Sequence, residues 1–506
     1  MKKMTLKMRL LGGLVAVSML FVAGSCAQGA DCDEVFQSTV TDTQLVSPAA
    51  DDISLEVVNV EYMKVSWPFI KGAGGYQCLV QNINDEANPV TVVDDIMDQS
   101  SFEFKLSDDT RYAISVKTLG NKALNNAEAT TTTEKTYFFG VEGMAVPADA
   151  GDIGAYIAGV IAEKADEWAA ARAEDANFEV AFDLAPGGQY TMETEFDAGL
   201  QSIRVRALTP ENRATVLVKK SFKFKAGLRL QNLNLDCSEF TTKGLVCVAD
   251  EMSDELKIEN YGFSREGNPI TGWYYINKSV ILNNCWIKNL QNSLIYGNSK
   301  FAIALNDFRV INSIVQLDYT SSNALIHFSD CADNKSSIKN MTIENSTFYN
   351  LQANGSAYFL RYKNASNAQP AKVYGDGATS DHNIHNCTMI KTFTGKDFAN
   401  NMPTIAAFHI NMTNNIFYDV FSLYQYLQNN ATTYTKNNTM WYVEASAQSN
   451  DTGGRKDDSG NPFTTLEDPG FTAPTTAIDF SLPNGGLNLK PTGAISSTGG
   501  DPRWLN

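Results

Sequence analysis

The chain has 506 residues, 43% of them hydrophobic and 19% charged, a composition that folds and buries a large core. Its 40 Lys and Arg stand against 57 Asp and Glu, and the net charge of −17 excludes a nucleic-acid partner held by phosphate neutralisation. Only 4 His and 15 Pro occur, which speaks against a multi-histidine metalloenzyme and a proline-rich linker protein.

Residues 1–25 read as an export signal. Lys2, Lys3, Lys7 and Arg9 make a basic start, and residues 10–24 are apolar and end in small side chains. The stretch is too short for a membrane span, and no later run is apolar for long enough to provide one. Ala23-Gly24-Ser25-Cys26 resembles a bacterial lipoprotein box, which implies a lipid on Cys26 and an anchor that does not span the membrane. Ordinary cleavage near Ala27 or Ala30 is the alternative. Residues 26–40 follow as a linker. The other cysteines show no CxxC spacing, so no metal site is expected from them, and most read as small buried hydrophobes.

Residues 41–140 alternate short strands with turns. Trp67, the Gly74-Gly75-Tyr76 turn and the run from Leu106 to Tyr112 resemble a fibronectin type III domain. The resemblance implies a β-sandwich with Trp67 in its core and Tyr112 at a tyrosine corner, closed by a strand over the threonines at 130–133. Such a module serves as a spacer. From 145 to 200 the pattern changes. Ile153, Tyr156, Ile157, Val160, Ile161, Ala165 and Trp168 fall at helical spacing and predict an amphipathic helix. A strand over 178–184 and a turn at Pro186-Gly187-Gly188 come next. A helix followed by a strand resembles the amino-terminal cap of parallel β-helix proteins, whose open strand edges need covering.

Residues 201–506 carry a repeat of the form apolar, any, Asn, variable, any, apolar. The copies centre on Asn232, Asn260, Asn284, Asn312, Asn345, Asn386 and Asn414, at steps of 28, 24, 28, 33, 41 and 28, with a weaker copy at Asn438. Three short strands and three turns per rung need roughly that length. Asn tolerates a left-handed bend between strands, and its amide can reach the same amide one rung away, about 4.8 Å off. A leucine-rich solenoid would fix Leu and vary the polar residue, the reverse of what stands here. The many Asn-x-Ser/Thr triplets read as this turn ladder rather than as glycosylation sites.

From about 145 onward the chain resembles the pectin-lyase-like superfamily, and in particular surface lipoproteins of Gram-negative polysaccharide-utilisation systems. Gly500-Asp501-Pro502-Arg503-Trp504 matches the tail such proteins carry. The expected fold class is therefore mostly β: an amino-terminal fibronectin-like β-sandwich, then a capping helix and a right-handed parallel β-helix. The resemblance implies a glycan lying along one face of the stack. The segments 293–296, 324–327, 358–361, 404–407 and 422–425 would line it, their fourth places forming a column of Tyr296, His327, Arg361, Ala407 and Gln425 that faces solvent. Tyr358, Tyr362 and Tyr424 are candidate sugar platforms, as is the run Trp273-Tyr274-Tyr275 in an inserted loop. Signatures of polygalacturonases are missing, and so is the Arg-x-Pro-x-x-Arg signature of one large lyase family. Asp330, Asp333, Asp376 and Asp381 could gather in loops near Arg361.

The expected function is a cell-surface, outer-membrane lipoprotein that binds plant-type, pectic polysaccharide without cleaving it, with outer-membrane glycan-import proteins as partners and no cofactor or metal. The alternative is a polysaccharide lyase acting on a uronic-acid glycan by proton abstraction and β-elimination. In that case Tyr296, His327 and Arg361 would be catalytic and calcium could assist. A structural stalk is the third possibility.

Overall fold

A computed structural model describes residues 40–58, 62–319, 321–352, 357–393, 395–420, 423, 433–442, 468–472, 475–493 and 499–505. The export segment and Cys26 lie outside the described residues. The chain divides into two compact units at residue 140. No helix among the described residues is long and apolar enough to cross a membrane.

The first unit is two antiparallel sheets. The strands Ser54–Val58, Tyr62–Ser66 and Ser101–Lys105 form one, with the second strand in the middle. The other runs in the order Val90–Met97, Gly75–Asn82, Thr110–Leu119, Thr133–Phe139. Their inner faces share a core of Met63, Val65, Trp67, Tyr76, Cys78 and Tyr112. The ring of Trp67 meets Tyr76 edge-on at 5.1 Å, and the Tyr112 hydroxyl accepts the Ser107 N–H at 2.7 Å. The last strand begins at Thr133 rather than occupying 130–133, because the side chains that alternate into the sheet start there.

In the second unit a short strand, Gly143–Val146, which ends the ten-stranded sheet, is followed by the helix Ile153–Glu174. Asp152 caps it by accepting the Gly154 N–H at 3.0 Å. A side chain at Gly154 would meet the Thr194 carbonyl oxygen at 1.8 Å, so only glycine lets the first turn sit this close. Ile153, Ile157 and Trp168 are buried, and Trp168 lies edge-on to Phe182 at 6.5 Å.

Three large parallel sheets follow, of ten, nine and six strands, and the chain visits them in fixed rotation. One round runs from Leu228–Gln231 in the ten-stranded sheet to Leu233–Asp236 in the nine-stranded one, then to Gly244–Val248 in the six-stranded one. The next round lays Tyr274–Asn283, Trp286–Leu290 and Ser293–Tyr296 beside them in register. This arrangement is compatible with a parallel β-helix. Inward side chains such as Leu230, Leu235, Val246, Phe308, Ile343 and Phe359 form one continuous core.

The asparagines stand at the corner between the ten- and nine-stranded sheets. Asn232, Asn284, Asn312, Asn345, Asn386, Asn414 and Asn438 all have φ between 46° and 56°. Their amides bond along the stack: Asn284 to Asn232 at 2.8 Å, Asn386 to Asn345 at 3.0 Å, Asn414 to Asn386 at 3.1 Å and Asn438 to Asn414 at 2.9 Å. Asn260 is not among them. Its hexad forms the 3-10 turn Ile258–Tyr261, and the left-handed residue there is Gly262 at φ 69°. The segment belongs to an insertion that makes the step from Asn232 to Asn284 52 residues long. Trp273 and Tyr275, expected on an exposed loop, are instead buried with Ile258 and Tyr374 in a small cluster of their own.

One buried histidine makes the fold acid-sensitive. His382 is fully enclosed against Phe408, with Nε2 3.3 Å from the Tyr362 hydroxyl and 3.4 Å from the Ile338 carbonyl. Burial pulls its pKa from 6.5 to about 4. The unfolded chain takes up the proton first, so stability is lost as pH falls from about 6.5 to about 4 and the loss saturates below that. Thermal melts across this window should slope downward with acidity, and His382→Phe should flatten the slope. An unchanged slope would remove His382 as the cause.

Candidate functional site

The six-stranded sheet positions the candidate site. Its strands are Phe222–Phe224, Gly244–Val248, Ser293–Tyr296, Ile326–His327, Leu360–Arg361 and Ala399–Asn400. Val246, Ile295, Ile326 and Leu360 point into the core, so the next residue in each strand faces outward. Register then aligns Lys223, Cys247, Tyr296, His327, Arg361 and Asn400 in one column. The place after Arg361 is Asn400, not Ala407. Phe393 and Phe398 fill the interior just before it, which brings the strand to 399–400 and leaves 404–407 in a turn.

The column is not an open strip. Tyr296 is 5% exposed and His327 2%, because their rings stack face to face at 5.4 Å and are overlaid by Lys243 and Asp330. The Tyr296 hydroxyl donates to Asp330 Oδ2 at 2.6 Å and accepts from Lys243 Nζ at 3.0 Å. Lys243 Nζ also lies 5.1 Å from the centre of the Tyr296 ring. The Ala324 N–H donates to His327 Nδ1 at 2.9 Å, which leaves the neutral ring's proton on Nε2. That nitrogen faces Asp330 Oδ1 at 3.1 Å, off the line of a well-formed hydrogen bond.

The electrostatics follow from this packing. Burial pushes the Tyr296 phenol well above its ordinary value, and the hydrogen bond to Asp330 adds to the push. Burial also lowers the pKa of His327, more than its neighbour Asp330 raises it. Asp330 goes the other way: burial opposes its charge, yet Tyr296, His327 and Lys243 together hold it down to about 2. The cluster at neutral pH is therefore a protonated phenol, a neutral imidazole and a carboxylate, with a lysine at the rim.

Arg361 is partly exposed, its guanidinium lies 5.6 Å from the Tyr358 ring centre, and its Nε has no hydrogen-bond partner. Tyr358 is half-buried, with Lys396 Nζ 5.9 Å from its ring centre as well. Below Tyr296 a cleft of about 320 Å³ opens between Lys223, Lys243, Asn298 and Lys300. Lys223 is held there by Asp250 at 2.9 Å and Glu195 at 3.7 Å.

Tyr362 is not a sugar platform. It follows Arg361, so alternation sends it inward, where it is fully buried and its hydroxyl accepts the Ile338 N–H at 3.2 Å. Tyr424 and Gln425 lie outside the described residues. Of the four aspartates expected near Arg361, Asp330 joins the site. Asp376 accepts the Glu266 N–H at 2.6 Å within an insertion, and Asp381 pairs with His409 at 2.8 Å on the ten-stranded sheet. Asp333 sits at φ 54° in the turn after Asp330. Sequence reasoning missed Lys243 and underrated Asp330. A usable signal existed, since Gly244-Leu245-Val246-Cys247 repeats the small, Leu, branched pattern of Ser293-Leu294-Ile295-Tyr296 and Ala324-Leu325-Ile326-His327.

Both oxygens of Asp330 already face Tyr296 and His327, and no group of three or more His, Cys, Asp and Glu among the described residues is placed to hold a metal ion. The arrangement can present Arg361 and Lys243 to an acidic group and hydroxyl-bonding amides beside them.

Two family models match the chain. One, a domain of unknown function (DUF4992), covers residues 1–187, and the other, a domain of unknown function (DUF4957), covers 188–351. No curated protein and no solved structure matches.

Proposed function

We propose that the outer face of the six-stranded sheet binds a uronate-bearing, pectic polysaccharide and does not cut it. On this reading the second unit is a right-handed parallel β-helix of the pectin-lyase-like kind. The first is a fibronectin type III-like spacer, a reading supported by its strand orders and by the Tyr112 hydroxyl on the Ser107 N–H. The chain is exported and anchored at the cell surface through Cys26, where glycan-import proteins of the outer membrane are its partners; this part rests on the lipoprotein box and on the resemblance carried by the tail Gly500-Asp501-Pro502-Arg503-Trp504.

The observation that carries the binding reading is the locked state of Tyr296 and His327, two of the three acid–base candidates. Proton abstraction beside a uronate carboxylate needs an unprotonated base that can reach the substrate. Tyr296 holds its proton and donates it in a hydrogen bond to Asp330, and His327 has its one lone pair occupied by the Ala324 N–H. The partly exposed guanidinium of Arg361 and the exposed rim lysine Lys243, which also pairs with Asp330 at 3.7 Å, are what remain to meet a ligand, and cations that meet carboxylates bind them.

Affinity electrophoresis through polygalacturonan and rhamnogalacturonan tests the reading, with absorbance of unsaturated uronide ends followed in parallel. Retardation without product is expected. Arg361→Ala should weaken retention about tenfold or more, the worth of one charge-assisted contact. Product that disappears in Arg361→Ala would instead establish the lyase. Neither retardation nor product would sink both and leave the stalk.

A further inference from the structure

The C-terminal tail lies along the nine-stranded sheet. Ile478, Leu487, Leu489 and Trp504 pack on Trp286, Ile314, Tyr349 and Ile390. Where the tail passes the early rungs of that sheet it stands off, leaving two adjoining hollows of about 710 and 760 Å³. They share Asn212, Arg213, Asn234 and Phe480 among their walls.

Three groups in these walls lack the partners their chemistry calls for. The Arg213 guanidinium lies 4.2 Å from the Trp286 ring centre and bonds to the Asn284 carbonyl and side-chain amide; no carboxylate among the described residues is in ion-pair reach, and Glu211 in the same wall acts on it only from farther off. The Trp286 indole N–H is buried without an acceptor, and the Asn234 side-chain oxygen is buried without a donor. Trp286 and Asn234 are 7% and 6% exposed, so bulk water does not satisfy them. Beside them Phe480 offers a half-exposed ring, with Lys288 Nζ 5.6 Å from its centre. A ligand that completes this set brings a carboxylate for Arg213, an acceptor for the indole, a hydroxyl donor for Asn234 and an apolar face for Phe480.

We propose that this cleft between the tail and the nine-stranded sheet is a second binding site, for an acidic sugar residue. It is separate from the site on the six-stranded sheet and does not rest on that reading. A neutral sugar would leave Arg213 unpaired, and a simple carboxylate would leave Asn234 and Phe480 unused.

Isothermal titration of the whole protein with trigalacturonate, with galactotriose and with acetate tests it. Trigalacturonate should bind, galactotriose and acetate at least tenfold more weakly. Arg213→Gln should weaken trigalacturonate binding about tenfold in an Arg361→Ala background, where the six-stranded sheet no longer contributes. Trp286→Phe keeps the ring, removes the N–H and should weaken binding several-fold; it also serves if Arg213→Gln folds poorly. Unchanged binding in Arg213→Gln and Trp286→Phe, or equal binding of galactotriose, would overturn the second site. Unchanged binding in Arg361→Ala alone would count against the first site and leave this one standing.

Discussion

Trp504→Ala should destabilise the second unit by about 3–5 kcal/mol, the cost of emptying a large buried aromatic site. Trp504 is 4% exposed and fills a gap among the apolar side chains on the nine-stranded sheet. Its indole N–H donates to the Thr347 hydroxyl at 2.7 Å, and that hydroxyl donates in turn to Asp501 at 2.8 Å. The rest of the tail motif is built around this plug. Gly500 is at φ 91°, and a side chain there would meet the Thr388 hydroxyl at 2.7 Å. Its N–H reaches the Asn414 carbonyl, and Arg503 reaches the Asn312 carbonyl, at 2.7 and 2.8 Å. The motif therefore clasps the asparagine corner itself. Chemical denaturation should show the loss, together with new dye-binding surface from the uncovered Trp286, Ile314 and Tyr349. A variant as stable as the parent would mean the tail is an ornament on a self-sufficient stack.

The second large effect is at the corner. Asn386→Ala loses the bonds to Asn345 and from Asn414 and forces a left-handed backbone on a residue that resists it. Two hydrogen bonds at about 0.5–1.5 kcal/mol each and a conformational cost of about 1–2 kcal/mol give a loss of about 2–5 kcal/mol. Asn386→Gly relieves the backbone cost but not the bonds, so it should fall between the parent and Ala. Asn260→Ala is the control. Its amide bonds only to the neighbouring Asp254 and Glu255 carbonyls at the surface, and the change should cost less than about 1 kcal/mol. Equal losses at Asn386 and Asn260 would contradict the ladder.

Those two asparagines also show what the sequence could and could not convey. Both sit in a matching hexad, but only Asn386 has strand-forming residues on each side, Ser380–His385 before it and Thr388–Ile390 after it. Around Asn260 stand Asp254, Glu255 and Gly262, which favour a turn, and the glycine takes the left-handed position. The column of Tyr296, His327 and Arg361 was legible because Ser293-Leu294-Ile295-Tyr296 and Ala324-Leu325-Ile326-His327 repeat one order and Tyr358-Phe359-Leu360-Arg361 shares its two apolar residues before a polar one. Its closure was not. Lys243 and Asp330 lie in turns, where no periodicity marks a position, and they cover Tyr296 from 53 and 34 residues away. The inward turn of Tyr362 was readable from strand alternation once Arg361 faced outward. The role of the tail was out of reach, since Asp501 and Thr347 are 154 residues apart.

Hydroxyl-radical footprinting with and without a polygalacturonan oligomer addresses the glycan site most directly. Protection at Lys243, Tyr358 and Arg361, with intact oligomer recovered afterwards, is the expected result. Side chains on the six-stranded sheet that react equally in both states, at oligomer concentrations that retard the protein in gels, would contradict it.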